Sequence, residues 1–229
     1  SDFVEIVETP PIDSITWSAT SEGVEFSVTT HDPTNTIKHF RWKYEETYQY
    51  NSVYNSILKF VGNDVAYRPP NESLYTCWRT VGSSNIIVGS AKDLNEAIIS
   101  KVPVAFVPIS SLKLSIKYSL LVQQHALSED AYDYWTNLKK TTENLGGLFD
   151  PLPTEVSGNM RNLGNPDEPV LGFFSAGTVR QQRIFFTRDQ LPPALRGRYL
   201  IDIACALDTV RLPDLPDFHK GNLLIGEIY

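Results

Sequence analysis

An alternation of apolar and polar side chains with a period of two, recurring through the first half of this chain, limits its fold more than any other feature. Val24, Phe26 and Val28 alternate with Glu25, Ser27 and Thr29, and Phe40, Trp42 and Tyr44 alternate with His39, Arg41, Lys43 and Glu45. Leu114, Ile116, Tyr118, Leu120 and Val122 then fall on one side of a third run, within residues 112–123. Successive side chains of an extended chain point to opposite faces, so each run reads as a strand with one face in a core and the other in water. Further β-rich runs cover residues 15–18, 74–80, 85–88, 104–107, 170–176 and 183–187, and residues 223–229 can close as a last edge strand. Thr9-Pro10-Pro11-Ile12-Asp13 is a stiff extended lead-in, because proline fixes its own backbone and pushes the preceding residue to β or polyproline geometry. Asp32-Pro33-Thr34-Asn35 has Asp at the first and Pro at the second position of a type I turn, which predicts that the runs on either side pair as a hairpin. The Asn- and Tyr-rich stretch 46–73 reads as a long loop with local structure, since Ile57, Leu58, Phe60 and Val61 suit a short helix as well as a strand.

The period changes once. From Ser128 to Gly146, the residues Ala131, Trp135, Leu138, Thr142 and Leu145 recur at spacings of three and four, the signature of an amphipathic helix. Ser128 suits the N-cap, Glu129 and Asp130 put negative charge in the first turn, Lys139 and Lys140 lie towards the other end, and Gly146-Gly147 can supply a left-handed C-cap. Short strands divided by turn residues and interrupted by one helix give the fold class: mainly β, an immunoglobulin- or fibronectin-like β-sandwich with one amphipathic helix and long loops inserted, α+β overall. Residues 1–125 then supply sandwich strands, 126–166 the helical insertion and its loops, and 167–229 late strands completing the sheet and a Pro-rich tail. Trp135 and Leu138 are expected to pack on the sandwich. Two separate domains with a boundary near residue 110 are the alternative.

Charge and motifs narrow the function by exclusion. Twenty Lys and Arg against 27 Asp and Glu leave a net charge of −7 on 229 residues, which argues against nucleic acid as a partner because no excess of cation displaces phosphate counterions. No run approaches the roughly 18 apolar residues of a membrane span. The chain opens on Ser1 without an initiator Met or an apolar leader, and reads as a trimmed or processed piece. Cys77 and Cys205 either form one bridge or are two buried thiols. His31, His39, His125 and His219 stand far apart without metal-ligand spacing, and nucleophile-elbow, P-loop and dinucleotide-binding glycine signatures are missing. Glu45 and Glu46 are adjacent on a strand and point to opposite faces, so they do not form a facing acid/base pair. The expectation is a chain with no catalytic, metal or cofactor-binding residues.

Aromatic residues are abundant, with 11 Tyr, 11 Phe and 4 Trp. Trp42, Tyr44 and Trp78 fall on strand faces expected to be inward or half-buried. Tyr48, Tyr50 and Tyr54 fall in the polar stretch, and as rigid aromatics on a loop they are the candidate contact surface.

Several stretches together carry a resemblance: 11–17 (PIDSITW), 30–33 (THDP), 41–47 (RWKYEET), Cys77-Trp78, 118–127 (YSLLVQQHAL), 132–135 (YDYW), 149–153 (FDPLP), Gly158-Asn159-Met160 and 170–174 (VLGFF). In their order they resemble an uncharacterised lipoprotein family, a domain of unknown function, of Bacteroidetes, whose genes neighbour TonB-dependent outer-membrane receptors. The resemblance covers residues 10 to 190 and implies a surface-exposed lipoprotein of the cell outer membrane, held there only by a lipid anchor missing from this chain. Its implied partner is an outer-membrane β-barrel receptor or another envelope lipoprotein. Asp13-Ser14-Ile15 and Asp208-Thr209-Val210 also resemble the O-glycosylation acceptor pattern of Bacteroidetes exported proteins, with a turn or strand edge as the plain reading. The functional expectation is a non-catalytic accessory module binding a receptor barrel, another envelope protein or an extracellular ligand. A surface hydrolase acting on glycan or peptide is the alternative, and a spacing protein is a third possibility.

Overall fold

The computed structural model describes residues 6–52, 55–62, 64–143, 156–165 and 168–196. Alternation becomes strand except at 112–116, where a 3-10 turn (Leu112–Leu114) replaces the start of the third run: β1 (Ile12–Ala19), β2 (Gly23–His31), β3 (His39–Asn51), β4 (Leu58–Val61), β5 (Asp64–Tyr67), β6 (Thr76–Gly82), β7 (Ile87–Ser90), β8 (Ile98–Pro108) and β9 (Lys117–Leu127), then the helix α1 (Glu129–Glu143) and β10 (Val179–Thr187). One sheet has the order β1-β2-β8 and another β10-β9-β3, with β6 and β7 both pairing the far edge of β3; β4 and β5 form a separate hairpin. Two sheets connected in this order make the immunoglobulin- or fibronectin-like sandwich that the alternation implies, with α1 inserted ahead of the last strand. By its contacts the chain divides into two compact units, Ser1–Glu46 with Val81–Phe106 and Leu120–Ile184, and Thr47–Thr80 with Val107–Ser119 and Phe185–Tyr229.

The first unit is built around side chains with no solvent exposure: Val24, Phe26 and Val28 of β2, Phe40 and Trp42 of β3, and Leu120 and Val122 of β9. A polar knot sits among them. Gln124 of β9 accepts a 2.8 Å hydrogen bond from the Trp42 indole Nε1 and donates from its Nε2 to the Pro10 carbonyl and the Thr30 hydroxyl, each at 2.9 Å. Thr30 in turn donates to the Pro11 carbonyl. β2, β3, β9 and the proline lead-in are thereby tied by one buried amide whose capacity is nearly filled.

The turn after β2 forms, but the hairpin does not. Asn35 N–H bonds to the Asp32 carbonyl at 3.0 Å, as the type I turn requires. β2, however, pairs with β1 in the register Ile15↔Val28 and with β8, while β3 joins the other sheet. The Asp32 carboxylate decides this. It gathers the backbone N–H groups of Thr34, Thr36 and Ile37 at 2.7–3.0 Å, with the Thr34 hydroxyl, and so curls the chain out of the sheet. Burial alone would raise the Asp32 pKa, but the hydrogen bonds from Ile37, Thr34 and Thr36 outweigh it and hold this carboxyl far below the usual range.

α1 follows its sequence signals where it is described. Ser128 Oγ accepts from Ala131 N–H, Glu129 and Asp130 occupy the first turn, Lys140 the last, and Ala131 is fully buried. Trp135 and Leu138 are half-buried. Leu145 and the Gly146-Gly147 cap lie outside the described residues, as do 149–153, Cys205, Thr209, His219 and the 223–229 strand. The expected strand at 170–176 does not form; only Leu171 makes an isolated bridge, to Ser157. The reason is local. Gly172 has φ +121°, and the Asn159 side chain takes both backbone groups of Phe174, donating to its carbonyl at 2.7 Å and accepting from its N–H at 2.8 Å.

In the second unit the stretch read as a long loop from residue 46 is largely strand. β3 continues to Asn51, with Tyr48 and Tyr50 buried between half-buried Thr47, Gln49 and Asn51, and β4 and β5 pair as Leu58↔Tyr67 and Phe60↔Val65. The core holds Val107, Leu114, Tyr118, Phe186 and Leu191, all 2% exposed or less. Cys77 is disulfide-bonded.

Candidate functional site

The tyrosines expected to form a contact surface do not lie together on one. Tyr48 and Tyr50 are 7% and 6% exposed, their rings 5.7 Å apart, because the alternation of β3 runs on past Glu46 and turns both inward. Tyr54 lies outside the described residues. Trp42 is buried and Tyr44 half-buried as expected, and burial, with Glu46 nearby, pushes the Tyr44 phenol pKa up. Trp78 is the opposite of its expectation: it stands 59% exposed on β6. Ser14 is half-buried on β1 opposite Thr29, and Asp13 beside it accepts from His31 Nδ1 at 2.7 Å.

Exposed aromatic surface is found instead on the excursion between β3 and β6. Tyr67 is 70% exposed, and Leu74, Tyr75 and Val61 are exposed with Trp78. Backbone bonds brace this segment: Arg68 N–H to the Ile57 carbonyl and Ser52 N–H to the Tyr75 carbonyl, each 2.7 Å, with an ion pair from Lys59 to Glu72. The excursion therefore presents large apolar side chains on a scaffold closed by its own hydrogen bonds. Period-two reading missed them, because a two-stranded hairpin has no second layer and leaves apolar residues in water.

A second cluster lies in the first unit. Trp42 and Gln124 bond to each other on the inward side, so Arg41, Lys43 and His125 point to the opposite face of the sheet. α1 lies over that face, its Trp135 ring 3.3 Å from the Arg41 guanidinium carbon. Tyr134 packs edge-on against Trp135 at 5.4 Å and tilted against Phe173 at 5.2 Å, and His39 stacks on Tyr132 at 4.6 Å. The loop bearing Phe173 is locked by glycine, since a Cβ on Gly158 would overlap the Gly172 carbonyl and one on Gly172 would come within 2.6 Å of Met160. Burial lowers the Arg41 pKa, the Tyr134 phenol opposing it; burial, then Lys43 and Arg41, lower that of His125. Burial likewise lowers His39, against the pull of Glu129. Arg41 Nε, His125 Nε2, His39 Nδ1 and Thr136 Oγ1 are buried without a hydrogen-bond partner. In the sequence pattern Arg41 falls on the wet face of its strand, and His125 stands out only as a histidine without metal-ligand spacing. Many of the stretches that carry the family resemblance, 41–47, 118–127, 132–135, 158–160 and 170–174, meet here, and that was the available signal.

Among the described residues no group of three or more His, Cys, Asp or Glu could hold a metal ion, and no helix is long and apolar enough to cross a membrane. Fold and clusters together define a β-sandwich protein with a helical insertion, bearing exposed aromatic side chains on the excursion that leads into β6 and a basic cluster beneath α1. The chain belongs to the family described as a domain of unknown function, DUF4249, whose model it matches over residues 1–183. Comparison with curated proteins and with solved structures gives no match.

Proposed function

We propose that this chain is a non-catalytic accessory module of a Bacteroidetes outer-membrane lipoprotein. It is held at the cell surface by a lipid anchor and binds a TonB-dependent receptor barrel, another envelope protein or an extracellular ligand. The exposed aromatic surface between β3 and β6 carries the reading. Tyr67, Tyr75 and Trp78 are rigid, amphipathic groups that supply contact area at low conformational cost, and such residues dominate binding energy at protein interfaces. The membrane setting rests on the resemblance of the ordered sequence stretches.

Mild-detergent extraction of native outer membranes, followed by pull-down of the protein, tests this. Co-purification of a barrel or envelope protein at fixed stoichiometry is expected; isolation as a lone lipoprotein would overturn the partner assignment. Trp78→Ala and Tyr67→Ala should each weaken capture of that partner at least about tenfold, a hot-spot cost above roughly 1 kcal/mol, with the melting temperature unchanged.

A further inference from the structure

We propose that Arg41, His125 and Lys43 form an oxyanion-binding site beneath α1, which takes a carboxylate or phosphate group of a ligand on the donor edge of the Arg41 guanidinium. Arg41 is half-buried, and its recorded contact is with the face of Trp135, whose ring centre is 3.3 Å from the guanidinium carbon. Stacking uses the flat face of a guanidinium, whereas its N–H groups lie in the plane and point from its edges. One edge nitrogen is unused: Nε is shielded from solvent without an acceptor, and among the described residues no carboxylate forms an ion pair with Arg41. His125 Nε2 is buried nearby, equally unpartnered, and feels the charges of both Arg41 and Lys43. The carboxylate next along this face, Glu45, already faces Arg183 at 3.7 Å.

Half-buried Arg41 and exposed Lys43 therefore bring two cations beside the His125 ring in a chain whose net charge is −7. A role confined to pinning α1 accounts for the stacked face and leaves the Nε donor unexplained; a charged donor kept unsatisfied away from water is costly, and a hydrocarbon side chain would anchor the helix without that penalty. Two parallel N–H groups on one guanidinium edge match two oxygens of a carboxylate or phosphate.

The test is independent of any protein partner. The purified chain is titrated with inorganic phosphate, acetate and chloride at matched ionic strength, following the Arg41 Nε–H resonance and the melting temperature. Phosphate or acetate should move the resonance saturably and raise the melting temperature with its logarithm of concentration, and chloride should not; a response to phosphate alone or acetate alone names the ligand group. Arg41→Lys, which keeps the charge and loses the fork, should weaken binding at least tenfold, and Arg41→Met should abolish it without lowering the melting temperature of the ligand-free protein. Equal responses to all three salts, no response, or undiminished binding by Arg41→Lys would each overturn the proposal. If Arg41→Met fails to fold, the wild-type resonance and Arg41→Lys decide alone.

Discussion

Replacing Gln124 with Leu probes the structure where its consequences can be worked through bond by bond. The side chain is fully buried and makes three hydrogen bonds of 2.8–2.9 Å, to Trp42 Nε1, the Pro10 carbonyl and the Thr30 hydroxyl. Leucine matches its size, so cavity and strain terms are small. Thr30 keeps a partner because it still donates to the Pro11 carbonyl at 2.9 Å. The indole N–H of Trp42 and the Pro10 carbonyl do not, and Trp42 has no solvent exposure through which water could replace the lost acceptor. An unsatisfied buried donor costs about 1–3 kcal/mol, and the carbonyl adds a smaller amount. The expected destabilisation is about 2–4 kcal/mol, a fall in melting temperature of roughly 5–15 °C for a chain of this size. Thermal and urea unfolding followed by near-ultraviolet circular dichroism measure it, and Trp42→Phe supplies the cross-check. With no indole N–H left to orphan, the Gln124→Leu penalty should shrink by about 1 kcal/mol or more in that background. A melting temperature within about 1 °C of wild type, or equal penalties in both backgrounds, would refute the claim that this amide ties the sandwich together.

Two other perturbations follow from local geometry. Gly158→Ala should drive the chain off the Gly172 carbonyl and break the paired bonds between Asn159 and Phe174, costing about 1–3 kcal/mol; hydrogen exchange at the Phe174 amide should accelerate while Val28 and Val122 keep their protection. For Asp32 the folded pKa lies below the ordinary carboxylate value of about 3.9, so its stabilisation is complete above that value and is lost as pH falls through the folded pKa. Asp32→Asn should therefore lower stability at neutral pH and flatten the acid limb of the stability curve below about pH 4, and an unchanged limb would show that the carboxylate is not held by its five donors.

How much of this was legible in advance differs from element to element. The alternation of Val24, Phe26 and Val28 or of Phe40 and Trp42 placed strands and core correctly, because side-chain direction in an extended chain is fixed by covalent geometry alone. The start of α1 was legible for the same kind of reason: Ser128, Glu129 and Asp130 act on backbone groups within one turn. Period two leaves open what faces each side of a strand. Tyr48 and Trp78 have equally good strand context, yet one is 7% and the other 59% exposed, a difference made by the layers that cover them.

Sequence by itself thus determined a mainly β chain, one amphipathic helix and the chemistry of its turns, all set by interactions between residues close along the chain. Tertiary structure alone decided that β3 leaves β2 for the other sheet, that the polar stretch after Glu46 continues as buried strand, and that Arg41 meets Trp135 beside His125. Those outcomes depend on pairings between residues tens of positions apart, where burial and strand-edge occupancy, rather than local preference, select the partner.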